Sequence, residues 1–180
     1  MKVCIDPGHG GNDPGAIGTD PFRLEEKGVN LSVSLLLEEE LENMGHWTAL
    51  TRRRDIDLSL ESRAEFANRL DADLFVSVHV NAADSPSVEG MEAYHYPNSN
   101  AGQNAANLIL TSLLDAFPEH KNRGVKQANF AVLRLTKMPA VLVEMEFLSN
   151  PDQLQFLADE SNQKGLAEAM AIGINQVTVG

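Results

Sequence analysis

The sequence predicts an α/β fold: a mostly parallel, mixed and twisted sheet of about six strands with helices on both faces. Three observations carry this. Short β-branched runs alternate along the chain with longer segments whose apolar residues recur every three or four positions. Two of the runs, Leu74–Val80 and Ala140–Glu144, are almost continuously apolar, the pattern of strands covered on both faces. The chain has 180 residues, 43% hydrophobic and 22% charged, the balance of an ordinary globular protein of one domain, so residues 1–180 are expected to fold around one core.

The elements follow in order. Lys2–Asp6 is a short strand stopped by Pro7-Gly8. Pro7–Pro21, rich in glycine and proline, reads as a long shaped loop. Glu26–Met44 is a helix with Val29, Val33, Leu36, Leu37, Leu41 and Met44 on one stripe, and Gly45 stops it. The run Glu38–Glu42 reads as its solvated face. Trp47–Thr51 is a strand; Leu60, Ala64, Ala67 and Leu70 mark a second helix. Leu74–Val80 is a buried strand and Met91–Tyr96 a further one. Ala101–Leu114 is a helix with Ala105, Ile109 and Leu113 aligned. Asn129–Leu133 reads as a short strand, and Pro139 opens the buried strand Ala140–Glu144. Gln153–Leu157 and Asn162–Val177 are helices, the latter carrying Leu166, Met170 and Ile174. The folded pattern begins at residue 2 and runs to Val177–Val179, which leads us to expect a domain cut from a longer secreted chain.

Charge and composition narrow the function. With 14 Lys+Arg against 26 Asp+Glu, the formal charge is −12. That argues against nucleic acid and against an anionic membrane surface as partners, both of which call for a basic face. No apolar run reaches the roughly 18 residues of a membrane span, and no signal-peptide pattern opens the chain. The single cysteine, Cys4, excludes an internal disulfide.

In parallel α/β sheets, ligands bind beyond the carboxyl ends of the strands. Three reactive side chains fall there. His9 lies three residues past the first strand, His79 near the end of Leu74–Val80, and Glu144 closes Ala140–Glu144. Glu25 and Glu26 start the helix after the glycine-rich loop, and either can reach back to the same rim. Two imidazoles and one carboxylate make an open zinc site, with a fourth position left for water. A second carboxylate can then move protons. Glu144 is the hardest of these to explain otherwise, because a carboxylate ending an apolar strand is costly to bury without a partner. His46, His95 and His120 are read as ordinary core or surface residues, and Arg52-Arg53-Arg54 as solvated or paired with Asp55 and Asp57.

The same residues carry a resemblance. Asp6-Pro7-Gly8-His9-Gly10-Gly11 with Asp13-Pro14-Gly15-Ala16 resembles the opening motif of the zinc-dependent N-acetylmuramoyl-L-alanine amidases. The likeness continues through Glu26-Lys27, Asn30-Leu31, Leu50-Thr51-Arg52, His79-Val80-Asn81-Ala82, Arg123-Gly124-Val125-Lys126, Val132-Leu133-Arg134 and Pro139–Glu144 with Phe147-Leu148-Ser149-Asn150. It implies one zinc per chain, held by His9, Glu26 and His79; the choice of Glu26 over Glu25 rests on the family pattern of a ligand directly before a lysine. It implies Glu144 as the catalytic carboxylate, general base and then general acid. The implied reaction is hydrolysis of the amide between N-acetylmuramic acid and L-alanine, with peptidoglycan as partner and the cell wall or extracellular space as location. Asn81 and Arg134 are suggested as substrate or supporting contacts. A monomer is expected, with any wall-binding domain outside this chain.

Two further expectations concern departures from the family. Glu146, where members tend to have a small residue, is expected on the opposite side of the strand from Glu144 and outside the catalytic set. Asn98–Asn122 has room for about one helix rather than an occluding insertion, so the groove is expected to be open. Two other readings were weighed. A non-catalytic peptidoglycan-binding module would be expected to lose ligands, and all four residues are present. An exopeptidase-like hydrolase would use two metals, and no second cluster of Asp, Glu and His is apparent in the sequence.

Overall fold

The computed structural model describes residues 1–178; Val179, the end of the terminal apolar pattern, lies outside the described residues. The element order is β1 (Lys2–Pro7), β2 (Ile17–Gly18), β3 (Leu24–Glu25), α1 (Glu26–Asn43), β4 (Trp47–Leu50), α2 (Leu60–Leu70), β5 (Leu74–Asn81), β6 (Met91–His95), α3 (Asn100–Ala116), β7 (Asn122–Gln127), α4 (Ala131–Leu135), β8 (Ala140–Phe147), α5 (Pro151–Ala158) and α6 (Glu160–Asn175). Six strands form one sheet in the order β4-β1-β5-β8-β6-β7, and β2 pairs with β3 in a small separate ladder. All neighbours in the large sheet run parallel except β6 and β8. The predicted mixed, mostly parallel α/β architecture is therefore the one observed.

Side chains alternate across a strand, and this alternation sorts the sheet into two faces. Val3 and Ile5 of β1, Leu74, Val76 and Val78 of β5, and Val141, Val143 and Met145 of β8 point to one face. There they pack against Val29, Val33, Leu37 and Leu41 of α1, Ile109 and Leu113 of α3, and Leu166, Met170 and Ile174 of α6. Cys4, Phe75, Ala140 and Leu142 point to the other, smaller core under α2 and α4, with Ala67, Val132 and Leu133. The same alternation turns Asp6, Ser77, His79 and Glu144 toward that smaller layer. It thins out toward the strands' carboxyl ends, and the polar residues gather there.

Two expectations need correction. Asn129–Leu133 is not a strand. Phe130 sits at the N-cap position with extended backbone, and Ala131–Leu135 forms one short helix. The Thr136 hydroxyl donates back to the Val132 carbonyl and closes the turn. Five residues are too few to separate a period of 2 from one of 3.6. Second, Arg52 is neither solvated nor paired with an aspartate. It is 2% exposed, and its guanidinium donates to the carbonyls of Pro7, Gly8 and Lys27. Arg53 is the one that pairs, with Glu38, which is buried rather than solvated.

Sequence reading missed β7. Its residues, Asn-Arg-Gly-Val-Lys-Gln, are half-exposed and polar, as an edge strand needs no apolar run. The stretch Asn98–Asn122 forms α3 and its connections, and none of its side chains reaches the strands' carboxyl-end cleft among the described residues.

Cys4 is fully enclosed in β1, and burial together with the nearby Asp6 charge pushes its thiol up to about 12. The folded chain should therefore fail to react with a thiol-specific reagent at pH 8, and react fully once unfolded in denaturant. A rapid native-state reaction would mean that β1 is not buried as described.

Candidate metal centre and cleft

The loop after β1 supplies the first imidazole. His9 has a left-handed backbone, φ 60°, uncommon for a residue with a Cβ. The strain is held by surrounding bonds. Gly8 N–H donates to the Val78 carbonyl at 3.0 Å, tying the loop to β5. The buried Arg63 guanidinium of α2 donates to the Asp6 carboxylate at 2.9 Å and to the carbonyls of Pro7 and His9, both at 2.7 Å. Asp6 also accepts from the Thr51 and Ser77 hydroxyls. Together, Arg63 and Arg52 are two buried guanidiniums that satisfy the carbonyls of a loop whose own backbone pairing is one bridge, between Gly10 and Asp13.

Glu26 occupies the first turn of α1 and is 3% exposed. One carboxylate oxygen accepts from Val80 N–H at 3.1 Å and from Asn30 Nδ2 at 3.1 Å, and faces His79 Nδ1 at 2.9 Å. The other accepts from Ala16 N–H at 2.8 Å and faces His9 Nε2 at 3.2 Å. Burial opposes the charged form, but the two imidazoles outweigh it and hold the Glu26 carboxyl well below the usual carboxylate range. Glu25 turns away to Arg23 and Lys27. Of the two glutamates left open by spacing, it is Glu26 that lies with the histidines.

His9, Glu26 and His79 each offer a ligand atom, all within 4.8 Å of one another. The donor set fits zinc, which takes imidazole nitrogen and carboxylate oxygen. His9 is oriented as a ligand would be: Nε2 faces the cluster while Nδ1 meets the Asp13 carboxylate at 2.8 Å. Burial works against a charged His9, but Glu26 and Asp13 together raise its pKa.

Two glycines clear the space. A Cβ on Gly8 would overlap the His79 ring, and one on Gly15, where φ is +66°, would crowd Glu26 and His9. The glycine-rich composition of the loop shows that it turns, but not that Gly8 and Gly15 leave room for the side chains of His79, Glu26 and His9.

Glu144 pairs directly across from His79 in the β5–β8 register. With His9 and His79 it lines a cleft of about 480 Å³, walled by Leu58, Leu60 and Phe130. Its Oε2 is enclosed and has no hydrogen-bond partner among the described residues. Burial, then the charges of Glu26 and Glu92, raise its pKa well above normal. Glu146 points elsewhere. Strict alternation would place residues two apart on one face, but His79 pairs with Glu144 while Asn81 pairs with Phe147. The extra residue in β8 is a bulge. Glu146 instead accepts from Gly90 N–H at 2.8 Å and meets His120 Nδ1 at 2.8 Å. His120, expected to be an ordinary core or surface residue, takes the core option: its side chain packs between Phe117 and Phe156 and meets Glu146.

Asn81 does not reach the cleft; it donates to Glu92. Arg134 is exposed and bonds to Asn129. Gly8→Ala should leave the chain folded but displace His79, so that if the three side chains form a zinc site its affinity by calorimetry falls at least about tenfold, the low end for a disturbed ligand environment. Unchanged affinity would dissociate Gly8 from the site.

A family profile described as N-acetylmuramoyl-L-alanine amidase matches residues 3–176. The chain is 33% identical to the N-acetylmuramoyl-L-alanine amidase AmiC of Neisseria meningitidis serogroup B over 97% of its own length and 52% of that protein's, so it spans about half of that relative. Among solved structures, AmiC2 of Nostoc punctiforme is 38% identical with a TM-score of 0.91, covering 97% of this chain and 94% of that one. The catalytic domain of CwlV from Bacillus (Paenibacillus) polymyxa is 36% identical with a TM-score of 0.89, covering 96% and 95%. With its fold, its loop motif and nearly its whole length matched, the chain belongs to the N-acetylmuramoyl-L-alanine amidase family.

Proposed function

We propose that this chain hydrolyses the amide between the lactyl group of N-acetylmuramic acid and L-alanine in peptidoglycan, using one zinc ion held by His9, Glu26 and His79. The observation that carries the reading is a carboxylate fixed between two imidazoles at one end of a cleft, with the unpartnered carboxylate oxygen of Glu144 in the same cleft. Family membership supplies the substrate class.

Bound at the three ligands, zinc would supply Lewis acidity, lowering the pKa of a water and polarising the scissile carbonyl. The chain's own residues do the rest. Asp13 fixes the His9 tautomer, and the Ala16 and Val80 N–H groups fix Glu26. Glu144 accepts a proton from the attacking water. It then delivers that proton to the L-alanine nitrogen as the C–N bond breaks, leaving a muramoyl carboxylate and a free peptide amine. A buried carboxyl with a raised pKa is suited to holding and releasing a proton in this way. Leu58, Leu60 and Phe130 give the cleft an apolar wall beside these groups, a surface for the apolar parts of a substrate.

The substrate implies work at the cell wall, with any wall-binding region supplied outside this chain, and we take the acting unit to be a monomer. No helix among the described residues is long and apolar enough to cross a membrane.

The test is a digest of purified peptidoglycan and of soluble muropeptides by the zinc-loaded protein, read by mass spectrometry. Free stem peptides with a new N-terminal alanine are expected; intact soluble muropeptides would overturn the reading. Glu144→Gln should keep zinc and lose about 10²–10⁴-fold in kcat, the usual contribution of a general acid–base group. His79→Ala should lose zinc. Full activity in the first variant, or full metal occupancy in the second, would remove those roles.

A further inference from the structure

Beyond the cleft, a second cluster lies on the same face of the sheet, and the amidase reading makes no use of it. Glu92 of β6 sits directly across from Glu144 and is 2% exposed. Its carboxylate accepts from Arg123 Nε at 2.8 Å, Tyr94 Oη at 2.7 Å, Asn81 Nδ2 at 2.9 Å, and from Lys126 Nζ. One cation would neutralise Glu92; two leave the cluster net positive in a chain whose formal charge is −12. Both cations stay accessible, with Arg123 26% and Lys126 38% side-chain exposed. Glu92 engages Arg123 through Nε alone. Nη1 makes a long bond of 3.3 Å to the Glu89 carbonyl, and Nη2 has no partner among the described residues.

The cluster adjoins the cleft through Glu144 and Phe130. Lys126 lies over the Tyr94 ring, 5.7 Å from its centroid, and Tyr94 stacks edge-on against the cleft residue Phe130 at 5.2 Å. Arg123 is braced over Phe147 at 4.8 Å. Strands lie about 5 Å apart, so β7 is roughly 10 Å from β8, the span of about three extended residues.

We propose that Arg123 and Lys126, held by Glu92, form a carboxylate-binding subsite that selects substrates bearing an anionic group on the second or third residue of the stem peptide. This rests on the amidase reading of the cleft. A planar guanidinium with free N–H donors beside an ammonium suits a carboxylate. Asn81 and Tyr94 contribute by orienting Glu92 rather than by touching substrate.

The experiment compares two soluble substrates: a muramoyl tripeptide with free carboxylates, and the same compound with those carboxylates amidated. The zinc-loaded protein should show a kcat/KM at least about tenfold higher on the free acid, the scale of one charge-assisted hydrogen bond. Lys126→Gln should erase that preference by raising KM for the acid by a larger factor than for the amidated compound, with little change in kcat. Lys126→Arg should retain the preference. Calorimetric binding of both compounds to Glu144→Gln gives the same comparison without turnover. Equal kcat/KM for the two compounds, equal affinities, or an equal loss on both in Lys126→Gln would overturn the subsite and leave the reaction standing. If neither compound is cleaved, the reaction reading fails, and the affinities alone then decide the subsite: a preference for the acid upholds it.

Discussion

Everything at the carboxyl end of this sheet is arranged around one buried carboxylate. Glu26 is placed by the first turn of α1, fixed by the N–H groups of Ala16 and Val80, and faced by an imidazole on each oxygen. A buried ionised carboxylate is costly unless every lone pair is engaged. That requirement explains several features at once. Gly15 has no side chain because one would strike Glu26 and His9. The loop between β1 and α1 must bring the Ala16 amide to the carboxylate. His79 must end β5 on the face opposite the larger core.

The loop that carries His9 has little ladder of its own, and two buried guanidiniums stand in for one. Arg52 and Arg63 come from separate elements and converge on the carbonyls of Pro7, Gly8 and His9. They let a left-handed histidine persist in a position that local preference disfavours. The architecture thus braces the three candidate metal ligands from behind while the front opens on the cleft. Glu144 gains its character from the same sheet. Period-2 alternation turns it from the apolar core, burial raises its pKa, and a bulge immediately after it sends Glu146 into a separate pocket with His120.

Much of this was legible in the residues, for identifiable reasons. The alternation of apolar runs with helical stripes survives any tertiary detail, so the fold class and most elements could be read from it. The rule that ligands gather beyond strand ends was enough to single out His9, His79 and Glu144. The choice between Glu25 and Glu26 was not accessible from spacing, since adjacent residues differ only in which way the first helical turn faces. β7 was invisible because a polar edge strand carries no hydrophobic signal. The burial of Arg52 is not legible locally because its partners, the carbonyls of Pro7 and Gly8, are remote in sequence; for His120 the sequence leaves core and surface open, and Glu146 and Phe156 decide it. Asn129–Leu133 was misread because one helical turn and one short strand look alike over five residues.

We assign His9, Glu26 and His79 to a single metal centre. X-ray absorption spectroscopy on the zinc-loaded protein, with the metal quantified per chain, tests it most directly. One zinc per chain is expected, with two imidazole ligands and otherwise oxygen, near 2.0–2.2 Å, and loss of that signature in Glu26→Gln. Two metals per chain, a coordination shell lacking imidazole, or an unchanged spectrum in Glu26→Gln would contradict it.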